Sequence, residues 1–373
     1  MKKILSVCIL IAMVLGLFLI VFKVDKAQPK ISGAVIPHHN IVASQRADFF
    51  VQLSKQIGVN NYPETIILVS PNHYNAGYGK IQTSNQDWEL SVGSINHDAD
   101  VVSDLISGGK DNEESVATNE PGSFADEHGI YNILGDIHNT FPDSKIVPIM
   151  LKDPSQAELV ELQKLLAKSC NNCLMLASVD FSHYQPAKIA ELHDQKTIRD
   201  LQNLDTDDVL KNAEVDSGAS LALLMMWAKV NQTMRFNLVN HTNSSLLLND
   251  PSLEGTSHVF GWYQAGRKVR PEQFTSFVIT KNLDVGVENR AIWGTDLVVN
   301  QPLIDSNDPN LSFDKVVIFG KLTNNAMNLF GFPLDPQDPT KLMTKSELSF
   351  DNLSSSIIKS KIKLLINQNN ERK

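Results

Sequence analysis

Three short apolar runs, each followed within a few residues by histidine, do most to restrict the folds open to this chain of 373 residues. They read Ala34-Val35-Ile36-Pro37-His38-His39, Ile66-Ile67-Leu68-Val69-Ser70-Pro71-Asn72-His73 and Leu174-Met175-Leu176-Ala177-Ser178-Val179-Asp180-Phe181-Ser182-His183. Such runs are too short for stable helices and too uniformly apolar for strands with one wet face. They fit strands buried on both faces, the habit of a parallel sheet covered by helices. The predicted strands are Gly33–Ile36, Thr65–Ser70, Lys145–Leu151 and Leu174–Val179, and helical periodicity marks Ser44–Ile57, Pro154–Ser169, Ala187–Leu201 and Ser217–Val230. This alternation predicts an α/β fold, a central mainly parallel sheet flanked by helices.

Ligands of open α/β sheets bind beyond the carboxyl ends of the strands. His38, His73, Asp180 and His183 are therefore expected on one rim, although they come from distant parts of the chain. A lone loop histidine is ordinarily just solvated; three in the same topological position set these apart. Imidazoles and carboxylates suit iron, copper, zinc or manganese, and two histidines with one carboxylate leave positions open for substrate and oxygen on ferrous iron. Neighbouring residues on extended chain point apart, so one of His38 and His39 is expected to face the pocket. His97, His138, His193, His241 and His258 lack this placement and are assigned to surface or core. Asp180 and His183 stand three apart, where a carboxylate can orient an imidazole or share acid/base work with it. A hydrolase using Ser182 or Ser217 with His183 as base is disfavoured, because neither serine lies in a G-x-S-x-G elbow.

The net charge of −9, without a basic run, argues against nucleic acid as a partner. Residues 1–24 place Lys2 and Lys3 before an apolar stretch from Ile4 to Phe22, which predicts a transmembrane anchor or signal segment. The expectation is a single-pass, membrane-anchored chain whose main domain is extracytoplasmic, or a secreted one if the segment is cleaved. In that setting Cys170 and Cys173 are read as a local disulfide or as two free thiols. Ile106 to Phe124 reads as a mobile surface loop. Residues 271–373 contain neither His nor Cys and read as a small β-rich C-terminal region of unknown role, ending in an amphipathic helix over Ser354–Ile366.

Taken in order, several of these pieces resemble the MEMO family, which includes the bacterial AmmeMemoRadiSam system protein B and is itself similar to the class III extradiol ring-cleavage dioxygenases. The carriers are Pro37-His38, Ser70-Pro71-Asn72-His73, Asp126-Glu127-His128, Val147-Pro148-Ile149, Ser178-Val179-Asp180-Phe181-Ser182-His183 and Asn240-His241-Thr242-Asn243-Ser244-Ser245 before a Ser257–Tyr263 strand. The resemblance covers Ile31 to Gly266 and divides the chain into residues 1–24, a MEMO-like domain over 30–266, and the region 271–373. It implies that His38 and His73 match metal-binding histidines, and that His128, Asp180 and His183 match pocket residues with catalytic roles. Where the family commonly has Cys-Gly, this chain reads Asp216-Ser217-Gly218. Alignment on the glycine nominates Ser217 as third ligand, whereas metal chemistry nominates Asp216; either also suits a helix N-cap. The implied cofactor is a divalent metal, with iron first and copper or zinc as alternatives, at a mononuclear site of His38, His73 and Asp216. The implied function is that of an iron-dependent oxygenase or redox protein acting on a small molecule or peptide in the strand-end cleft; the alternative is a non-catalytic peptide- or protein-binding module.

Overall fold

The computed structural model describes residues 30–109, 114–250 and 253–266, and beyond them residues 278–279, 316–323, 326–333, 346–350, Ser360 and Leu364. Its strands are β1 (Ile31–Ile36), β2 (Thr65–Pro71), β3 (Ile81–Thr83), β4 (Trp88–Leu90), β5 (Gly93–Ile95), β6 (Thr118–Asn119), β7 (Lys145–Leu151), β8 (Cys173–Ser178), β9 (Gln185–Pro186), β10 (Arg235–Asn243), β11 (Glu254–Gly255) and β12 (Ser257–Gln264). The longer helices are α1 (Ala43–Ile57), α2 (Ala99–Ser107), α3 (His128–Thr140), α4 (Gln156–Ser169), α5 (Ala187–Asn203), α6 (Thr206–Asn212) and α7 (Gly218–Val230). The four predicted strands and four predicted helices all form, with ends within two residues of their expected bounds.

Eight strands make the central sheet in the order β10-β12-β1-β8-β2-β7-β3-β6. Its middle, β1-β8-β2-β7, is parallel throughout, while β12 beside β1 and β3 beside β7 run antiparallel. The side-chain period of two sorts the central strands onto two cores. Val35, Ile67, Val69, Val147, Ile149, Met175 and Ala177 face α2, α4 and α7, whereas Ala34, Ile36, Ile66, Leu68, Ile146, Leu174 and Leu176 face α1 and α3. Every one of these side chains is buried, and each large one contributes about 1.5–3 kcal/mol of apolar transfer. The double burial explains why the runs read as continuous rather than alternating.

Helix α7 is apolar nearly all round and lies close against β1. Trp227 Nε1 donates to the Ser32 carbonyl at 2.9 Å, and a Cβ on Gly33 would stand 2.4 Å from Leu224 Cδ1 and 2.8 Å from the Met175 carbonyl oxygen. This contact sets where the N-terminus of α7 falls relative to the end of β1.

Three expectations change. The stretch between Ile106 and Phe124 is pinned where it is described: Val116 and Ala117 donate to the Leu105 carbonyl at 3.1 Å, β6 pairs with β3, and Phe124 is buried. A few apolar anchors in a polar run are enough to dock it. The membrane-anchored, single-pass reading is withdrawn, and with it the membrane as a partner: among the described residues no helix is long and apolar enough to cross a membrane. Residues 1–24, on which that reading rested, lie outside the described residues. Of the expected 354–366 helix only Ser360 and Leu364 are described, both helical.

Cys170 and Cys173 form a disulfide across the turn from α4 to β8. In the C-terminal region, β13 (Val278–Ile279), β14 (Val316–Thr323), β15 (Ala326–Pro333) and β16 (Ser346–Phe350) form an antiparallel four-stranded sheet, the small β-rich element expected there.

Candidate metal centre

The parallel strands deliver their histidines to one end of the sheet. His38 follows β1, His73 follows β2, and Asp180 follows β8. Two helix starts complete the set. Glu127 is the N-cap of α3, its carboxylate accepting from Gly129 N at 2.9 Å, and His128 opens that helix. Helix α3 comes close to β2 at Gly129, where a Cβ would stand 2.0 Å from Ser70 Oγ. Ser217 is the N-cap of α7, accepting from Ser220 N at 3.1 Å, which leaves Asp216 just outside the helix and aimed at the strand ends.

The ring nitrogens converge on Asp216. His38 Nε2 lies 3.2 Å and His73 Nε2 3.5 Å from Asp216 Oδ2, and His38 Nε2 is also 3.3 Å from Asp180 Oδ2. The three imidazoles cluster, with centroids 4.9 Å apart for His38 and His73, 5.0 Å for His38 and His128, and 4.0 Å for His73 and His128. Potential ligand atoms of His38, His73 and His128, and likewise of His38, Asp180 and Asp216, lie within 4.8 Å of one another.

Both inner histidines have their tautomer set from behind. The hydroxyl proton of Ser178 goes to the Gly129 carbonyl at 2.6 Å, so Ser178 accepts from His38 Nδ1–H at 3.1 Å. The buried Glu127 carboxylate, acceptor only, takes His73 Nδ1–H at 2.7 Å and the His73 backbone N–H at 2.9 Å. Each ring thus turns Nε2 into the site, the arrangement in which an outer carboxylate or hydroxyl orients a metal-binding imidazole.

The electrostatics follow from these contacts. Burial opposes charge on His73, but hydrogen bonds to Asp216 and Glu127 outweigh it and hold the pKa up at about 9. Burial also opposes charge on His38, and Asp180 and Asp216 overcome it, so that pKa too is raised. Burial would raise Asp216, but hydrogen bonds from His38 and His73 pull it down to about 2. His128 is depressed, by burial and then by the charges of His73 and His38. Asp180 is raised, chiefly by burial.

Asp180 also faces a second group of side chains. Its Oδ1 accepts from the backbone N–H of His38 at 3.1 Å and of His39 at 3.4 Å. His39 turns away from its neighbour, as expected, and its Nδ1 meets His258 Nε2 at 3.0 Å. His183 is near enough to His39, Asp180 and His258 to interact with their charges. His258, assigned from sequence to surface or core, is fully buried, yet it stands at the rim because β12 runs antiparallel to β1. Sequence patterning offered no signal for that. Glu127 was visible only as the residue before His128, with nothing to mark its hold on His73.

Neither serine supports the hydrolase alternative. Ser182 Oγ donates to Asp194 at 2.9 Å, and Ser217 is occupied as the cap of α7.

The donor set fits a cation on a further observation. Asp216 Oδ1 is buried and has no hydrogen-bond partner among the described residues, an acceptor that ordinarily finds a donor or an ion. Two imidazole nitrogens and a carboxylate with a spare oxygen supply the ligand types expected for iron, copper or zinc.

The family model for Memo-like proteins matches residues 13–253. A MEMO1 family protein of Methanosarcina barkeri is 29% identical over 233 residues, covering 59% of this chain and 82% of the relative. One from Thermoplasma volcanium is 27% identical, covering 58% of this chain and 80% of the relative, and one from Nitrosopumilus maritimus is 24% identical, covering 60% and 81%.

Proposed function

The chain belongs to the Memo-like family, and from that premise we propose that it is a metal-dependent protein of oxygenase or redox type, with one divalent cation, iron first, held by His38, His73 and Asp216. The observation that carries this reading is Asp216 itself: one carboxylate oxygen is shared by two imidazole Nε2 atoms and the other is buried without a partner among the described residues. Ferrous iron bound there supplies a Lewis-acidic, redox-active centre with positions left for substrate and oxygen.

The chain's own residues divide the remaining work. Ser178 and Glu127 hold the two inner rings in the tautomer that presents Nε2. His128 is partly exposed beside Tyr74, whose hydroxyl lies 3.4 Å from His128 Nδ1, and it closes the outer side of the pocket over a small molecule or peptide. His183 holds or moves a proton at the rim, and Asp180 sets the orientation of the surrounding imidazoles. A second reading, a binding module that uses the same cleft without catalysis, draws on the exposed Tyr74 beside His128 and the exposed Tyr184 beside His183.

Metal analysis of the full chain, purified without chelator or affinity histidines, tests the proposal. Near-stoichiometric iron, copper or zinc, lost from the pocket in His73→Ala and Asp216→Asn, is the expected result and would justify a substrate screen under oxygen. A wild-type protein that holds none of these ions and takes up none when supplied with them overturns the enzyme reading and leaves the cleft as a binding surface.

A further inference from the structure

We infer that His39, Asp180 and His258 form a second cation site, and that Asp180 bridges it to the first. The proposal adds to the mononuclear reading and rests on different side chains.

Three observations lead to it. First, a ligand atom from each of His39, Asp180 and His258 lies within 4.8 Å of the other two. His39 Nδ1 and His258 Nε2 are 3.0 Å apart. Neighbouring ligands bound to one ion at about 2.0–2.1 Å stand roughly 3.0–3.4 Å apart, so the two rings need little adjustment to share one. Second, the backbone turns His38 and His39 to opposite sides of a single carboxylate. Asp180 Oδ2 faces His38 Nε2 at 3.3 Å, while Oδ1 lies on the backbone N–H groups of both histidines. A carboxylate with one histidine on each side is a natural bridge between two ions. Third, the charges are unequal. Glu127 and Asp180 are buried and the Asp216 side chain is only 9% exposed, so three carboxylates crowd this rim. With His38 and His73 neutral as ligands, buried carboxylates require other compensation, and one divalent cation balances two of the three.

The chemical class follows from the donors. Two imidazoles and a carboxylate favour a transition-metal dication such as zinc, iron or cobalt over calcium or magnesium, which prefer all-oxygen sites. The second ion would stand near His183, which interacts with His39, Asp180 and His258.

Cobalt(II) titration of the full chain, stripped of metal and followed by visible absorption and by metal content after desalting, provides the test. The wild type should bind two equivalents, and His39→Ala and His258→Gln should each bind one. His39 is half-buried on a turn, so its variant should keep the wild-type circular dichroism and is the deciding one. Retention of the wild-type number of equivalents by His39→Ala overturns the second site. His73→Ala separates the two readings: losing one equivalent there upholds the first site, whereas loss in His39→Ala but not in His73→Ala leaves the second site standing and removes the first.

Discussion

At the residue scale, Asp216 and Ser217 are the two residues that the family resemblance left open as third ligand, and they hold different jobs in this chain. Ser217 spends its hydroxyl on the start of α7, while Asp216 points at His38 and His73. Ser217→Ala should therefore cost about 0.5–2 kcal/mol in denaturant unfolding, the usual loss for a removed N-cap, with metal content unchanged. Asp216→Asn should do the reverse and empty the site while the fold survives; retained metal in that variant would hand the ligand role elsewhere. Glu127 acts through His73. Replacing it with Gln keeps a cap for α3 but no longer enforces the Nδ1–H tautomer, and metal affinity should fall about 10–100-fold by competition titration. An unchanged affinity would reduce Glu127 to a helix cap.

At the element scale, the site depends on how closely α7 and α3 approach the sheet. At Gly33, β1 lies close against α7, and an added methyl would meet both the Leu224 side chain and the backbone of β8. Gly33→Ala should destabilise the protein by about 1–3 kcal/mol through overpacking, read as a lowered midpoint in urea. Because the α7 N-terminus carries Asp216, metal affinity should weaken in the same variant. A midpoint equal to wild type would mean that α7 shifts freely and does not fix Asp216.

At the scale of the whole molecule, β10 and α5 are joined at the edge of the sheet by a buried charge pair. Asp194, fully buried, accepts from Ser182 and lies 2.8 Å from His241 Nε2. Burial opposes charge on His241, but the hydrogen bond and attraction from Asp194, with Glu191 adding to them, raise its pKa above the ordinary histidine value. A raised folded-state pKa means that this stabilisation is complete below the unfolded pKa of about 6.5 and is lost as pH rises through the higher folded value. The Tm difference between wild type and His241→Gln should thus be largest near pH 6 and shrink towards pH 9. A difference independent of pH would assign His241 a packing role only.

The buried strands, the helices between them and the convergence of His38, His73 and Asp180 on one rim were legible from the sequence. Those features depend on local periodicity and on the rule that parallel strands present their carboxyl ends together. The tertiary structure alone decided the rest. It assigned Asp216 and Ser217 their separate roles, since capping geometry turns on backbone angles that either residue type can adopt. It put Glu127 behind His73 across 54 residues and His258 beside His39 across 219. It also docked Val116, Ala117 and Phe124 where composition suggested only loop. Contacts between distant segments depend on strand order and helix approach, and neither leaves a periodic trace in the chain.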